Sequence, residues 1–275
     1  MNLYKSLIFI LYLGIFLGSG FRTPAQSRDS ITLYGTLDTV QVIRQRIQHA
    51  NEANAGARVT HISPAILQAN KTRSLAELLT DHTSIYIKSL GTGALSTASF
   101  RGTSASQTRV NWNGINITPP LSGTFDFSQI PVFFTDNINL YYGSSHVKNG
   151  TGAIGGSVNL FTDTDWNRGV NGRVLAEYGS YNTYTVGGQA NISGNKSASK
   201  TRLYYQHSDN DYTYLNKVLT NIPFREKRQD AAYSQFGIMQ EGYFRVSPYT
   251  RLTAVAWYQK NHRNLPQPLG VVNRS

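Results

Sequence analysis

From residue 170 to residue 260 apolar and polar side chains alternate along one segment after another, and this period of two constrains the fold more than any other feature of the chain. Successive side chains of a strand point to opposite faces, so alternation over about 9–11 residues calls for a sheet with one apolar and one polar face. "VNGRVLAEY" sets Val170, Val174, Ala176 and Tyr178 against Asn171, Arg173 and Glu177. "YTVGGQANI" sets Tyr184, Val186, Ala190 and Ile192 against Thr185, Gln189 and Asn191. "KTRLYYQHS" sets Leu203 and Tyr205 against Arg202, Tyr204 and Gln206. "YSQFGIMQEGYFRV" sets Phe236, Ile238, Phe244 and Val246 against Gln235, Glu241 and Arg245, and "RLTAVAWYQK" follows with less distinct faces.

Strands of this length, tilted, cross a bilayer with lipid outside and a polar lumen inside. A secreted β-sandwich is the alternative, with shorter strands and a more continuously apolar inner face. Alternation alone leaves both open. Tyr178, Tyr181, Tyr184, Tyr243, Tyr249 and Tyr258 near the segment ends are expected to form an interfacial girdle. The connections at 179–182, 193–199 and 246–250 are short. That at 209–231 is long and polar, and 261–272 reads as the start of another loop. Short turns on one side and long loops on the other fit an up-and-down barrel. Composition agrees: 17 Tyr, 12 Phe and 24 Gly suit an all-β chain with many turns.

The N-terminus carries Lys5, an apolar run from Leu7 to Leu17, and small residues at Thr23 and Ala25. This is the pattern of a secretory signal peptide over 1–25, cut after Ala25, and the run is too short for a spanning helix. Export and the absence of cysteine leave neither a disulfide framework nor a thiolate metal site. The formal charge is +11, and removing Lys5 and Arg22 leaves +9. Because the basic residues are scattered and the chain is exported, nucleic acid is not the expected partner. Residues 26–56 are polar with one β-prone island, "LDTVQVI", and read as a tether.

Residues 57–165 read as a small α+β domain. "ARVTHIS" is an expected strand. Two short helices follow, the first capped by Ser63 with Pro64 at its first turn, the second opened by a Ser74–Glu77 capping box. "TSIYIKSL", "ASFRG", "TRVNWNGINI" and "DNINLYYG" are further strands. Gly150, Gly152 and Gly155 form a G-x-G-x-x-G, but "SVNLF" after them is strand-like, whereas a dinucleotide site needs a helix opening on the glycines. The expectation is a glycine turn between strands.

Other chemistry is sparse. The six histidines are dispersed, and no metalloprotease or triad spacing occurs, so no enzymatic activity is expected. "DTDWN" at 163–167 and "DND" at 209–211 offer oxygen ligands for calcium, without an EF-hand continuation. The first reads better as a linker. Asp209 and Asp211 of the second are candidate calcium ligands, with a plain solvated turn as the alternative. No other cofactor is expected.

Arg101-Gly102, Asn113-Gly114, the apical "TPPLSGT" segment, Tyr142-Gly143 and Gly150 to Gly156 occur in an order that resembles the plug domain of TonB-dependent outer-membrane receptors, most similar to the cobalamin-receptor branch. The resemblance implies a transmembrane antiparallel β-barrel whose lumen holds an N-terminal α+β plug. Residues 166–275 would then be the N-terminal part of a barrel of about 22 strands. Five strands leave an open edge, so the sequence is expected to be a fragment or a truncated product. The resemblance also implies active import of a scarce, large ligand of the cobalamin or ferric-siderophore class. Leu90, Thr92, Gly93, Ala94 and Leu95, with Pro119, Pro120, Leu121, Ser122, Gly123 and Thr124, would be the apical ligand contacts. Leu37, Asp38, Thr39, Val40, Gln41, Val42 and Ile43 are similar to the family's TonB box, which is added as a strand to the inner-membrane partner TonB. Outer-membrane lipid would surround the strands.

Overall fold

The computed structural model describes residues 58–143, 152–217 and 223–266, all within one compact unit spanning Ile47–Ser275. The expected signal peptide, the tether and the 37–43 segment lie outside the described residues.

The N-terminal part is built on a mixed five-stranded sheet. Its strands are β1 (Arg58–His61), β4 (Thr108–Trp112), β5 (Ile115–Asn116), β6 (Asn137–Tyr142) and β7 (Gly156–Phe161), in the order β1-β6-β7-β4-β5. Only β4 and β7 run parallel. A separate ladder pairs β2 (Tyr86–Ser89) with β3 (Ser96–Ser99). Two helices, α1 (Pro64–Ala69) and α2 (Leu75–His82), share the sheet's hydrophobic core, α2 packing on β2 and β3. Ser63 caps α1 by accepting from the Ile66 N–H at 3.3 Å. The Ser74–Glu77 capping box opens α2, with both reciprocal bonds present. Leu75, Leu78 and Leu79 recur on one helical face and are fully buried with Phe100, Val110, Phe134, Leu140 and Val158.

Gly150 lies outside the described residues; Gly152 and Gly155 lead into β7, a strand, so among the described residues no helix opens on them as a nucleotide site requires. Their purpose is close approach. A Cβ at Gly156 would come 2.5 Å from the Tyr141 carbonyl oxygen and 2.7 Å from the Phe100 ring, so only glycine lets β6 and β7 pass here.

The C-terminal part is an antiparallel wall of β8 (Gly169–Gly179), β9 (Thr183–Ser193), β10 (Ser197–Ser208), β13 (Tyr233–Ser247) and β14 (Thr250–Arg263), ordered β14-β13-β10-β9-β8. Burial alternates along β9, β10 and β13, whereas β8 and β14 are exposed at nearly every residue on both faces. Val170, Val174 and Tyr178 are 77–81% exposed on one face, while Arg202 and Tyr204 on the other are fully buried against the plug. The strands hold 11, 11, 12, 15 and 14 residues, so the last three exceed the expected length. Even the shortest, at roughly 3.3 Å per residue and tilted about 40°, reaches across the apolar band of an outer-membrane barrel.

Two expectations are corrected. Tyr243 is not a girdle residue: it shares the parity of Glu241, is 1% exposed, and donates its hydroxyl to Glu241 at 2.9 Å. The segment 209–231 is not plain loop. It contains a hairpin of β11 (Thr213–Asn216) and β12 (Phe224–Lys227), in which Tyr214 and Asn216 both donate to Glu226, at 2.9 and 2.7 Å. The short turn at 180–182 and this long connection share one end of the wall, since the Asp209 N–H donates to the Tyr181 carbonyl.

Candidate functional site

The two expected apical segments occupy the end of the plug near the 209–232 connection. Residues 90–95 form the tip between β2 and β3, closed by Leu90 N–H to Leu95 O at 3.0 Å and Ala94 N–H to Gly91 O at 3.1 Å. Gly93 has φ +70°, and a Cβ there would collide with the Tyr233 ring at the start of β13. Thr92 is held from the wall, its carbonyl accepting from Asn210 Nδ2 at 3.1 Å. The second segment is a tight turn in which the Gly123 N–H donates to Pro119 O at 3.0 Å, while Leu121 is fully exposed and a Cβ at Gly123 would lie 3.8 Å from the Ser106 Cβ. Leu90, Leu95 and Leu121 thus present apolar surface, and polar atoms of Ser122 and Thr124 are occupied within the turn. Beneath, Asp126 links the two regions: it accepts from the Ser96 N–H at 3.0 Å and pairs with Arg263 of β14 at 2.9 Å.

Asp209 and Asp211 have separate partners. Asp209 meets His207 at 3.1 Å and Asn182 at 3.2 Å, while Asp211 pairs with Lys227, whose ammonium is held above its ordinary pKa by that hydrogen bond. Among the described residues no group of three or more histidine or acidic side chains converges on one point. The middle residue of "DND", Asn210, instead ties the wall to the plug: with φ +51°, it donates to Thr92 O and to Ala231 O.

The most strongly charged contact was not expected from sequence. Asp136, after the plug's "VFFT", faces two wall cations, Lys200 at 3.0 Å and Arg202. Arg202 is fully buried, donates to Phe133 O at 3.1 Å and lies 3.3 Å from Glu241, itself fully buried. Lys200 also reaches the Asp163 carbonyl, and Arg251 reaches the Asp163 carboxylate at 3.4 Å. Burial alone would raise the Asp136 carboxyl, but Arg202 and Lys200 outweigh it and hold the group below the usual carboxylate range. Lys71 of the plug, donating to Thr135 O at 2.6 Å, is pushed down to about 8 by burial, which the nearby Asp136 only partly offsets. The available signal was the parity of Lys200, Arg202 and Glu241, all turned to the inner face; nothing local marked Asp136 as their partner.

This arrangement has no nucleophile paired with a base. Its charges tie the N-terminal sheet domain to the strand wall.

Residues 51–157 match the family model described as TonB-dependent Receptor Plug Domain. Over 135 residues, 49% of this chain, the sequence is 32% identical to the vitamin B12 transporter BtuB of Photobacterium profundum. The chain spans about a fifth of that relative, 22% of its length. The fold is similar to the siderophore receptor PiuA from Acinetobacter baumannii, with a TM-score of 0.54, 21% identity, and 74% and 26% of the two chains covered. It is also similar to the pyoverdine outer membrane receptor FpvA from Pseudomonas aeruginosa, with a TM-score of 0.58, 15% identity, and 76% and 28% covered.

Proposed function

We propose, on the premise that this chain carries a TonB-dependent receptor plug domain, that it is the plug and first wall strands of an outer-membrane receptor that imports a large, scarce ligand without chemically altering it. The observation that carries this reading is the union of that plug with a wall whose outer side chains, Val170, Val174 and Tyr178, are apolar and exposed while its inner ones pair with Asp136. Lipid covers the outer face. The ligand, of the cobalamin or ferric-siderophore class, meets residues 90–95 and 119–124. Residues 37–43 are offered to TonB as an added strand, and the proton gradient supplies the energy through that partner. The BtuB relatives support the cobalamin branch by sequence. Fractionation of cells expressing the full-length protein tests the location: the protein is expected in the outer membrane. Its recovery as a folded, soluble periplasmic protein contradicts the reading.

A further inference from the structure

The outer face of the wall differs at its two rims. Register partners share a face, so the pairings carry each outward row from β8 across to β14. At the end that holds the 180–182 turn and the 209–231 connection, every strand turns an aromatic ring outward: Tyr178 of β8, Tyr184 of β9, Tyr205 of β10, Phe236 of β13 and Tyr258 of β14. Tyr178 stands opposite Tyr184, whose ring lies 5.9 Å from that of Tyr205 and 5.2 Å from His207. At the other end the outward positions are Val170, Ile192, Ser197, Phe244 and Leu252, with neither a phenol nor a charge among them.

Of the side chains turned outward on these five strands, only Lys260 of β14 carries a permanent charge. It stands opposite Phe236, in the row of Tyr205 and two residues beyond Tyr258. The polar groups lower on the same face are satisfied within it. Thr201 donates to Gln240 Oε1 at 2.6 Å, and Gln240 donates to Ser199 Oγ at 2.9 Å and to the Glu241 carbonyl at 3.2 Å. Lys260 has no partner among the described residues, while His207 is already engaged by Asp209 at 3.1 Å. An ammonium among lipid tails is costly, whereas one at the rim is stabilised by an anionic headgroup.

We propose that this rim docks a phosphorylated glycolipid of the outer leaflet, with Lys260 meeting a phosphate and the tyrosines covering the sugars. The inference rests on the outer-membrane reading and names the lipid that this face selects. A lysine alone would accept any anionic headgroup. The tyrosines add ring faces and hydroxyls, which suit a sugar better than a glycerol phosphate. The opposite rim, without phenols or charge, fits a leaflet that lacks such a headgroup.

Displacement of fluorescent lipid A from the purified full-length protein in neutral detergent tests it. The competitors are bisphosphorylated lipid A, its dephosphorylated form and phosphatidylglycerol. Lipid A is expected to bind at least about tenfold more tightly than phosphatidylglycerol. Lys260→Gln should weaken lipid A several-fold and leave the dephosphorylated form unchanged, because only the phosphate meets the ammonium. Tyr205→Leu should weaken both forms several-fold. Heat-modifiable mobility checks that each variant folds. Equal binding of phosphatidylglycerol, or lipid A binding indifferent to either substitution, overturns the inference. A carboxylate from a further wall strand in place of the phosphate would show as that indifference to Lys260→Gln together with a lowered thermal midpoint. Protein recovered from the outer membrane without a preference for lipid A loses this docking surface and keeps the receptor reading; folded protein recovered soluble from the periplasm loses both.

Discussion

Arg202 is the residue on which the plug–wall contact turns. Its guanidinium sits between carboxylates from two different parts of the chain, Asp136 and Glu241, and is fully buried. Removing it leaves the buried Glu241 without its cation and Asp136 with Lys200 alone. Arg202→Met is therefore expected to destabilise the folded protein by about 3–5 kcal/mol, whereas the double variant with Glu241→Leu should recover part of that loss. Thermal loss of heat-modifiable mobility measures both, and an unchanged midpoint for Arg202→Met would remove the pair from the account. Lys71 gives a pH signature. The native amine releases its proton near 8 and the unfolded one near 10.5, so between those values the unfolded state holds more protons and stability rises with pH. The rise attributable to this group is about 3 kcal/mol. Denaturant midpoints across that window should climb for the native protein relative to Lys71→Met. Equal slopes would mean that Lys71 is not desolvated.

At the scale of elements, the β11–β12 hairpin hangs from the wall and is tied to the plug through Asn210. Asn210→Ala removes the bond to Thr92 O, and limited proteolysis should then cut both 90–95 and 213–227 faster than in the native protein. Faster cutting at neither segment would show that the bond does not order them. Because Asp209 and Asp211 are already engaged by His207, Asn182 and Lys227, calcium or a chelator is expected to leave cleavage of the hairpin unchanged. Calcium-dependent protection would put an ion between them. These elements also mark what could be read from sequence. Period-two alternation located the wall strands because one face meets the plug and the other does not, and the capping residues Ser63 and Ser74 located the helices because their oxygens answer orphan N–H groups. The hairpin was missed because its stabilising pairs, Tyr214 and Asn216 on Glu226, lie across a turn and leave no apolar period. Tyr243 departs from a girdle position because its parity with Glu241, not its residue type, decides the face it takes. Asp136 was invisible for a different reason: its partners, Lys200 and Arg202, are more than sixty positions away, and only the packed fold brings them together.

For the whole molecule, the plug is a compact core joined to a curtain of strands by charge, amides and aromatic contacts such as Trp112 on Trp257, with ring centroids 5.0 Å apart. Under the proposed function, ligand would bind on one side of the plug and energy would enter from the other, so binding and uptake would be separable. The coupling segment proposed at 37–43 works through backbone hydrogen bonds, which proline abolishes by removing an N–H and fixing φ. The decisive measurement is surface binding and energised accumulation of one labelled ligand by cells carrying the full-length protein, its Val40→Pro variant or its Val40→Ala variant. Binding is expected to be the same in all three. Accumulation should persist in Val40→Ala and be lost in Val40→Pro, as it is when the proton gradient is dissipated. Normal accumulation by Val40→Pro, or accumulation that survives loss of the gradient, would contradict import driven through this segment.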